Sequence, residues 1–86
     1  MNANEITGAS KIITAEYLVK NMTEANGYSK YIREDAKIWQ GGEKVRIYMG
    51  RKDYIEINDD GSLTIKGMCY RAGPELRKAG FNTTAI

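Results

Sequence analysis

The chain has no histidine among its 86 residues. Histidine is the commonest general base and metal ligand in proteins, and the usual partner of a catalytic serine or cysteine. Its absence removes the most frequent designs of hydrolytic and metal-dependent active sites. A chain of this length also builds a small core with little room for a deep pocket. We therefore expect a non-enzymatic protein with no catalytic residue, no metal ion and no cofactor.

Cysteine and long apolar runs are equally scarce. The single Cys69 cannot form an intramolecular disulfide, whereas small secreted domains usually contain several. We expect Cys69 to be a small buried apolar residue rather than a nucleophile. No stretch approaches the roughly 20 apolar residues of a membrane span, and residues 1–10 lack the basic and apolar regions of a signal peptide. These features predict a cytoplasmic protein without a membrane partner.

The composition that remains is that of an ordinary soluble domain. Hydrophobic residues make up 42% of the chain and charged residues 28%. Thirteen Lys and Arg residues against eleven Asp and Glu residues leave a net charge of +2, too small a bias to indicate nucleic-acid binding. Without a repeat or linker, residues 1–86 are predicted to form one small α+β domain, with flexible ends at 1–10 and 82–86.

One amphipathic helix is predicted near the start of the chain. Apolar residues recur there at helical spacing, namely Ala15, Leu18, Val19, Met22 and Ala25. We expect about 12 helical residues beginning at an N-cap, Thr14, and ending at Asn26-Gly27, which tolerate the left-handed conformation. Residues 28–36 fit either a second helical turn or an extended segment.

From Lys37 the apolar period changes to two, as in half-buried strands. The alternating residues are Ile38, Val45, Ile47, Ile55, Ile57, Leu63 and Ile65. They predict a four-stranded antiparallel meander with the amphipathic helix packed on its apolar face. Pro74 and Gly80 bracket a short C-terminal helix.

Side-chain parity constrains the central hairpins, because facing residues must share one side of the sheet. Pairing Ile47 with Ile55 leaves residues 49–53 as a loop. Between the last two strands, parity favours the three-residue loop 59–61, whose final Gly61 must be left-handed.

The first hairpin is predicted to close through a two-residue turn, Gly41-Gly42. This register places Trp39 opposite Lys44 and Ile38 opposite Val45. It also sets Lys37 against Arg46, a repulsion that Glu56 would offset.

The second face of the sheet and its loops contain the candidate binding residues. They are Trp39, Arg46, Tyr48, Tyr54, Lys37, Lys44, Arg51, Lys52 and Lys66. Trp, Tyr and Arg are the types enriched at protein interfaces, so we first expect a protein-binding face whose cations attract an acidic partner. The same residues suit single-stranded nucleic acid, by stacking of bases and contacts to phosphates. The solvated face of any antiparallel sheet also favours such residues.

A homodimer through the edges of the first and fourth strands is a further hypothesis.

In size, absence of a catalytic set and helix-on-meander layout, the chain resembles small accessory proteins of phages and mobile elements. These include anti-CRISPR inhibitors of host nucleases. The resemblance covers roughly residues 14–66, with strands such as Lys44-Val45-Arg46-Ile47-Tyr48 and Tyr54-Ile55-Glu56-Ile57, and includes no diagnostic string. It implies a stoichiometric inhibitor or adaptor that occupies the nucleic-acid or partner site of a larger host protein or ribonucleoprotein complex.

Overall fold

A computed structural model describes residues 7–27 and 30–86, without the side chains of residues 68 and 69. Its elements are α1 (Gly8–Asn21), β1 (Lys37–Gly41), β2 (Lys44–Tyr48), β3 (Tyr54–Ile57), β4 (Leu63–Lys66), α2 (Gly73–Lys78) and β5 (Thr83–Ala85). Short 3₁₀ helices span Glu24–Asn26 and Gly67–Ala72. The predicted α+β class, with a helix at each end of the chain, is confirmed. The predicted four-stranded antiparallel sheet is wrong, because β5 joins it as a fifth strand, parallel to β4.

The core lies between the two α-helices and one face of the sheet. All the alternating apolar residues of β2, β3 and β4 are almost fully buried: Val45, Ile47, Ile55, Ile57, Leu63 and Ile65. They pack in one cluster with Ala15, Leu18 and Met22 of the α1 region and with Leu76 of α2. Burial of each large aliphatic side chain contributes about 1.5–3 kcal/mol to folding. This apolar contact holds both helices on the same side of the sheet.

Helix α1 starts seven residues earlier than predicted, because its N-cap is Thr7 and not Thr14. Thr7 is the N-cap, and its Oγ1 accepts a hydrogen bond from the Ser10 amide at 3.1 Å. Residues 8–10 are therefore helical rather than flexible, while residues 1–6 lie outside the described part. The helix ends at Asn21, and the predicted stop at Gly27, with φ of +79°, ends the following 3₁₀ helix instead.

The first turns of α1 are held in place by Lys11, a charged residue that was not among the predicted apolar residues of the helix. Lys11 is only 3% exposed and lies one turn before Ala15 on the buried side of α1. Its Nζ donates to the Glu43 carbonyl at 2.7 Å and to Asp59 Oδ1 at 2.6 Å. The Gly8 amide donates to Glu43 Oε2 at 2.5 Å. These contacts join the start of α1 to the β1–β2 turn and to the β3–β4 loop.

The β1–β2 turn is Gly42-Glu43 rather than the predicted Gly41-Gly42. Gly41 pairs with Lys44, and Gly42 adopts a φ of +63°. A type II′ turn needs a left-handed residue only at its first central position, so Glu43 fits the second one. The contacts of Glu43 with Gly8 and Lys11 favour this arrangement over a Gly-Gly turn.

This turn moves the β1–β2 register by two residues from the prediction. Trp39 lies opposite Arg46 instead of Lys44, and Lys37 lies opposite Tyr48, so the expected Lys37–Arg46 repulsion does not arise. A shift of two residues preserves side-chain parity. Trp39 and Lys37 therefore remain on the predicted face, although each has a new neighbour.

Both predicted central hairpins are confirmed. Ile47 pairs with Ile55 and Tyr48 with Tyr54, which leaves residues 49–53 as the loop. In the β3–β4 loop the Gly61 amide donates to the Asn58 carbonyl at 2.9 Å, and Gly61 has a φ of +86°. Local turn chemistry and alternation are sufficient to determine these two registers.

The expected fraying of residues 82–86 is wrong. The Leu63 amide donates to the Asn82 carbonyl at 2.8 Å, and the Ile86 amide donates to the Ile65 carbonyl at 2.9 Å. Arg77 Nη1 also donates to Thr83 Oγ1 at 2.8 Å, which links α2 to β5. Because β5 covers the outer edge of β4, the predicted dimer edge on the fourth strand is occupied within the chain.

Residues 30–36 form turns rather than either predicted alternative, while Tyr28 lies outside the described residues. The Ala36 amide donates to the Arg33 carbonyl at 3.1 Å, and the buried Ile32 anchors the segment in the core. Within residues 7–27 and 30–86, no helix combines the length and apolar character that a membrane crossing requires.

Replacing Asp59 by Asn should lower the free energy of unfolding by about 1–2 kcal/mol, because the buried Lys11 ammonium loses its charged partner. Lys11→Met keeps the apolar stem and should cost less than about 1 kcal/mol. Urea unfolding measures both values, with Lys20→Met on the exposed side of α1 as the control. A larger cost for Lys11→Met than for Asp59→Asn would contradict this account.

Candidate functional site

The sheet face opposite the helices, here called the outer face, contains three rows of facing side chains. They are Gly41, Lys44, Asn58 and Ser62; Trp39, Arg46, Glu56 and Thr64; and Lys37, Tyr48, Tyr54 and Lys66. Because α1 and α2 bury their apolar residues against the other side, neither helix covers this face. Alternation in the strands therefore leaves the predicted aromatic and basic residues on an open surface.

Arg46 lies at the centre of the outer face between aromatic rings. Its Cζ is 4.3 Å from the ring centroid of Tyr54 and 5.8 Å from that of Trp39. The Tyr48 and Tyr54 rings are 5.4 Å apart and inclined at 53°. We call Trp39, Arg46, Tyr48 and Tyr54 the aromatic cluster. Its members come from three adjacent strands, so the sheet itself brings them together.

Polar contacts fix the orientation of the Arg46 guanidinium. Nε donates to Glu56 Oε1 at 2.7 Å, and Nη1 donates to Tyr48 Oη at 3.0 Å. Both side chains of the ion pair are largely covered, with 24% of Arg46 and 23% of Glu56 exposed. The hydrogen bonds to Tyr48 and then to Glu56 raise the pKa of Arg46, so it stays charged. A stacked arginine with two directed hydrogen bonds has few other orientations available.

Trp39 is the most accessible large residue of the aromatic cluster, with 44% of its surface exposed. Its ring extends over the end of β1, since a Cβ on Gly41 would lie within 2.7 Å of two Trp39 ring carbons. Glycine at position 41 thus lets the indole lie against the backbone beside Arg46. The indole packs against the backbone on one side and is exposed to solvent on the other, as anchor residues at protein interfaces are.

The remaining predicted cations divide into separate groups. Lys66 Nζ lies 5.8 Å from the Tyr54 ring centroid, at the edge of the aromatic cluster. Lys44 lies one row beyond Arg46 and lines a cleft of about 320 Å³ together with Lys11 and Asp59. Lys52 is exposed in the β2–β3 loop. The structure therefore does not collect the predicted cations into one patch.

A second cleft lies beside the aromatic cluster, where the turns before β1 meet the β2–β3 loop. It has a volume of about 350 Å³, and its walls include Arg33, Asp35, Lys37, Tyr48, Met49 and Arg51. We call it the basic cleft. It contains two of the predicted cations, Lys37 and Arg51, next to one predicted aromatic, Tyr48.

Sequence reasoning missed Arg33 in the basic cleft. Its Nε and Nη2 donate to the two carboxylate oxygens of Asp35 at 2.9 and 2.8 Å. Asp35 lies in a turn, and its side chain and that of Tyr48 line the same cleft. No local pattern identifies this pair. Lys11 was missed as well, although it continues the spacing of Ala15, Leu18 and Met22 one turn back.

Other parts of the described structure are weaker candidates for a binding site. A third cleft, of about 550 Å³, has walls of mixed charge that include Glu24, Lys30, Glu34 and Asp35, and it contains none of the predicted binding residues. In the described part of the chain, no three acidic or cysteine side chains are grouped as a metal site would require. The Cys69 side chain is not described.

Comparisons with models of protein families, with curated proteins and with solved structures find no match for this chain.

Arg46→Lys should lower the free energy of unfolding by about 1 kcal/mol, because an ammonium cannot contact Glu56, Tyr48 and two rings at once. Urea unfolding measures this, with Lys44→Ala in the next row of β2 as the control, expected within about 0.5 kcal/mol of the parent. Equal stability of the parent protein and Arg46→Lys would show that the guanidinium is not held in place.

Asp35 should titrate below its ordinary range, because hydrogen bonds from Arg33 lower the pKa of its carboxyl. A folded pKa below the unfolded one means that the pair stabilises the fold at neutral pH and that this contribution disappears as the pH falls through the folded pKa. Arg33→Gln should return the pKa towards the ordinary value, as measured by carboxyl ¹³C NMR. An unchanged Asp35 titration in Arg33→Gln would contradict the assignment.

Proposed function

We propose that this chain is a non-enzymatic protein-binding module whose aromatic cluster contacts its partner. The supporting observation is Arg46, held between two rings and by Glu56 and Tyr48, beside the exposed Trp39. Trp, Tyr and Arg account for much of the binding energy at protein interfaces. A cluster that is already ordered loses little conformational entropy on binding.

The contacts of Arg46 favour a protein over single-stranded nucleic acid. Two of its N–H groups already donate to Glu56 and Tyr48, so fewer remain for a phosphate. The Glu56 carboxylate also places a negative charge at the middle of the outer face. The Tyr54 ring has Arg46 over it and Lys66 nearby, which limits stacking of a base there. Nucleic acid remains the second hypothesis for this face.

In the homodimer hypothesis β1 remains a candidate edge, and β5 takes the place of the fourth strand as the other edge. With β4 covered by β5, the two edges of the sheet belong to β1 and β5. β5 is three residues long, so β1 is the longer edge for pairing with a second copy. Sedimentation of a monomer at high micromolar concentration would reject such a dimer.

The resemblance to small phage accessory proteins suggests a finer form of the proposal. In that form the chain is a stoichiometric inhibitor or adaptor, and the partner is a larger host protein or ribonucleoprotein complex. Binding of the aromatic cluster to one surface of that complex would exclude the ligand that normally occupies it. The cytoplasm would be the place of action.

Trp39→Ala and Tyr54→Ala should each weaken partner binding by about tenfold or more, as expected for hot-spot residues. The matched control is Tyr17→Ala, because Tyr17 is an aromatic residue on α1 that is 50% exposed, away from the outer face. Capture from a lysate of the source organism by parent and variants, quantified by mass spectrometry, identifies proteins lost only with the outer-face variants. The purified partner is then titrated against each variant.

The proposal fails if all three variants retain every captured protein, or if only Tyr17→Ala loses one. Titration of Trp39 fluorescence with single-stranded RNA and DNA tests the second hypothesis. Saturable quenching that weakens steeply between about 50 and 200 mM salt would favour nucleic acid over protein.

A further inference from the structure

We infer that the basic cleft binds a carboxylate side chain from an acidic segment of the protein partner; this inference rests on the proposed function. The cleft has a defined volume, an excess of positive charge and one wall in common with the aromatic cluster. Each of these properties comes from residues that the chain brings together from two separate segments, 33–37 and 48–51.

The charge excess comes from Lys37 and Arg51. Neither forms an ion pair with any described residue, and both are exposed. The one carboxylate in the walls, Asp35, already accepts hydrogen bonds from Nε and Nη2 of Arg33. At neutral pH the Arg33–Asp35 pair adds no net charge, so Lys37 and Arg51 leave about two positive charges for a ligand.

The shape of the cleft fits a side chain that arrives from the aromatic cluster. Tyr48 forms part of the cleft wall and also accepts the hydrogen bond from Arg46. On β1, Lys37 and Trp39 are two residues apart on the same face, which separates them by about 7 Å. A partner segment that contacts Trp39 and Tyr54 therefore needs to extend by only about one further residue pair to place a carboxylate beside Lys37.

A protein carboxylate suits this site better than a nucleic-acid phosphate. Proteins that bind single strands line up cations along a groove that follows the backbone. Here Lys37 and Arg51 lie at one end of the outer face, and the row that contains the Arg46–Glu56 ion pair separates them from Lys44. The arrangement corresponds to one local acidic contact beside an aromatic contact surface.

The test uses an acetylated and amidated peptide of alternating Glu and Leu, and the same peptide with Gln in place of Glu. Binding at about 50 mM salt is followed by ¹⁵N NMR of the full chain, including the Arg51 Nε–H signal. The variant is Lys37→Gln with Arg51→Gln. Its matched control is Lys20→Gln with Lys78→Gln, which removes the same charge from exposed lysines of α1 and α2.

We expect the Glu peptide to shift signals of Lys37, Tyr48 and Arg51, and the Gln peptide to leave them unmoved. The cleft double variant should weaken Glu-peptide binding by about fivefold or more, since exposed ion pairs contribute modest energies. The control double variant should stay within about twofold. Absent binding, shifts located elsewhere, or equal loss in both double variants would overturn the inference.

A single-stranded oligonucleotide that binds the cleft more tightly than the Glu peptide would also overturn it, in favour of phosphate. Binding of the variants to the partner from the capture experiment distinguishes failure of the cleft inference from failure of the protein-binding proposal. If Trp39→Ala weakens partner binding and the cleft double variant does not, the protein-binding proposal stands and the cleft inference fails. If neither variant weakens binding, the protein-binding proposal itself fails.

Discussion

In the β2–β3 hairpin, four branched residues face the helices and the side chains between them face the other way. Val45 pairs with Ile57 and Ile47 with Ile55, all essentially inaccessible to solvent. A slip of one residue would turn the two apolar residues of the shifted strand towards solvent, so burial of all four determines the register. The same register places Arg46 opposite Glu56 on the outer face. The hydrophobic energy that folds the chain thus also assembles the centre of its candidate binding surface.

A long-range contact sets the position of Trp39. The start of α1 binds the β1–β2 turn through Gly8 and Lys11, and both contacts are made to Glu43. With Glu43 inside the turn, Trp39 pairs with Arg46 and reaches the aromatic cluster. The polar attachment of one helix end therefore influences a surface on the opposite side of the sheet.

Local sequence patterns were sufficient to predict some parts of this structure, whereas contacts between distant residues determine the others. Alternation predicts which side of the sheet the apolar strand residues from Ile38 to Ile65 occupy. Parity and local turn chemistry predict the β2–β3 and β3–β4 registers. The β1 register, the first turns of α1 and the pairing of β5 depend on contacts between distant residues, such as Lys11 with Asp59 and Leu63 with Asn82. The basic cleft was missed for the same reason, because Arg33 reaches it through a turn without an apolar period.

The central claim is that Arg46 is fixed in the free protein, before any partner binds. The most direct measurement is ¹⁵N relaxation and hydrogen exchange of the Arg46 Nε–H group, which donates to Glu56 at 2.7 Å. The account predicts a side chain about as ordered as the β2 backbone and an exchange rate well below that of Arg51. An Arg46 Nε–H as mobile and as quickly exchanging as that of Arg51 would contradict it.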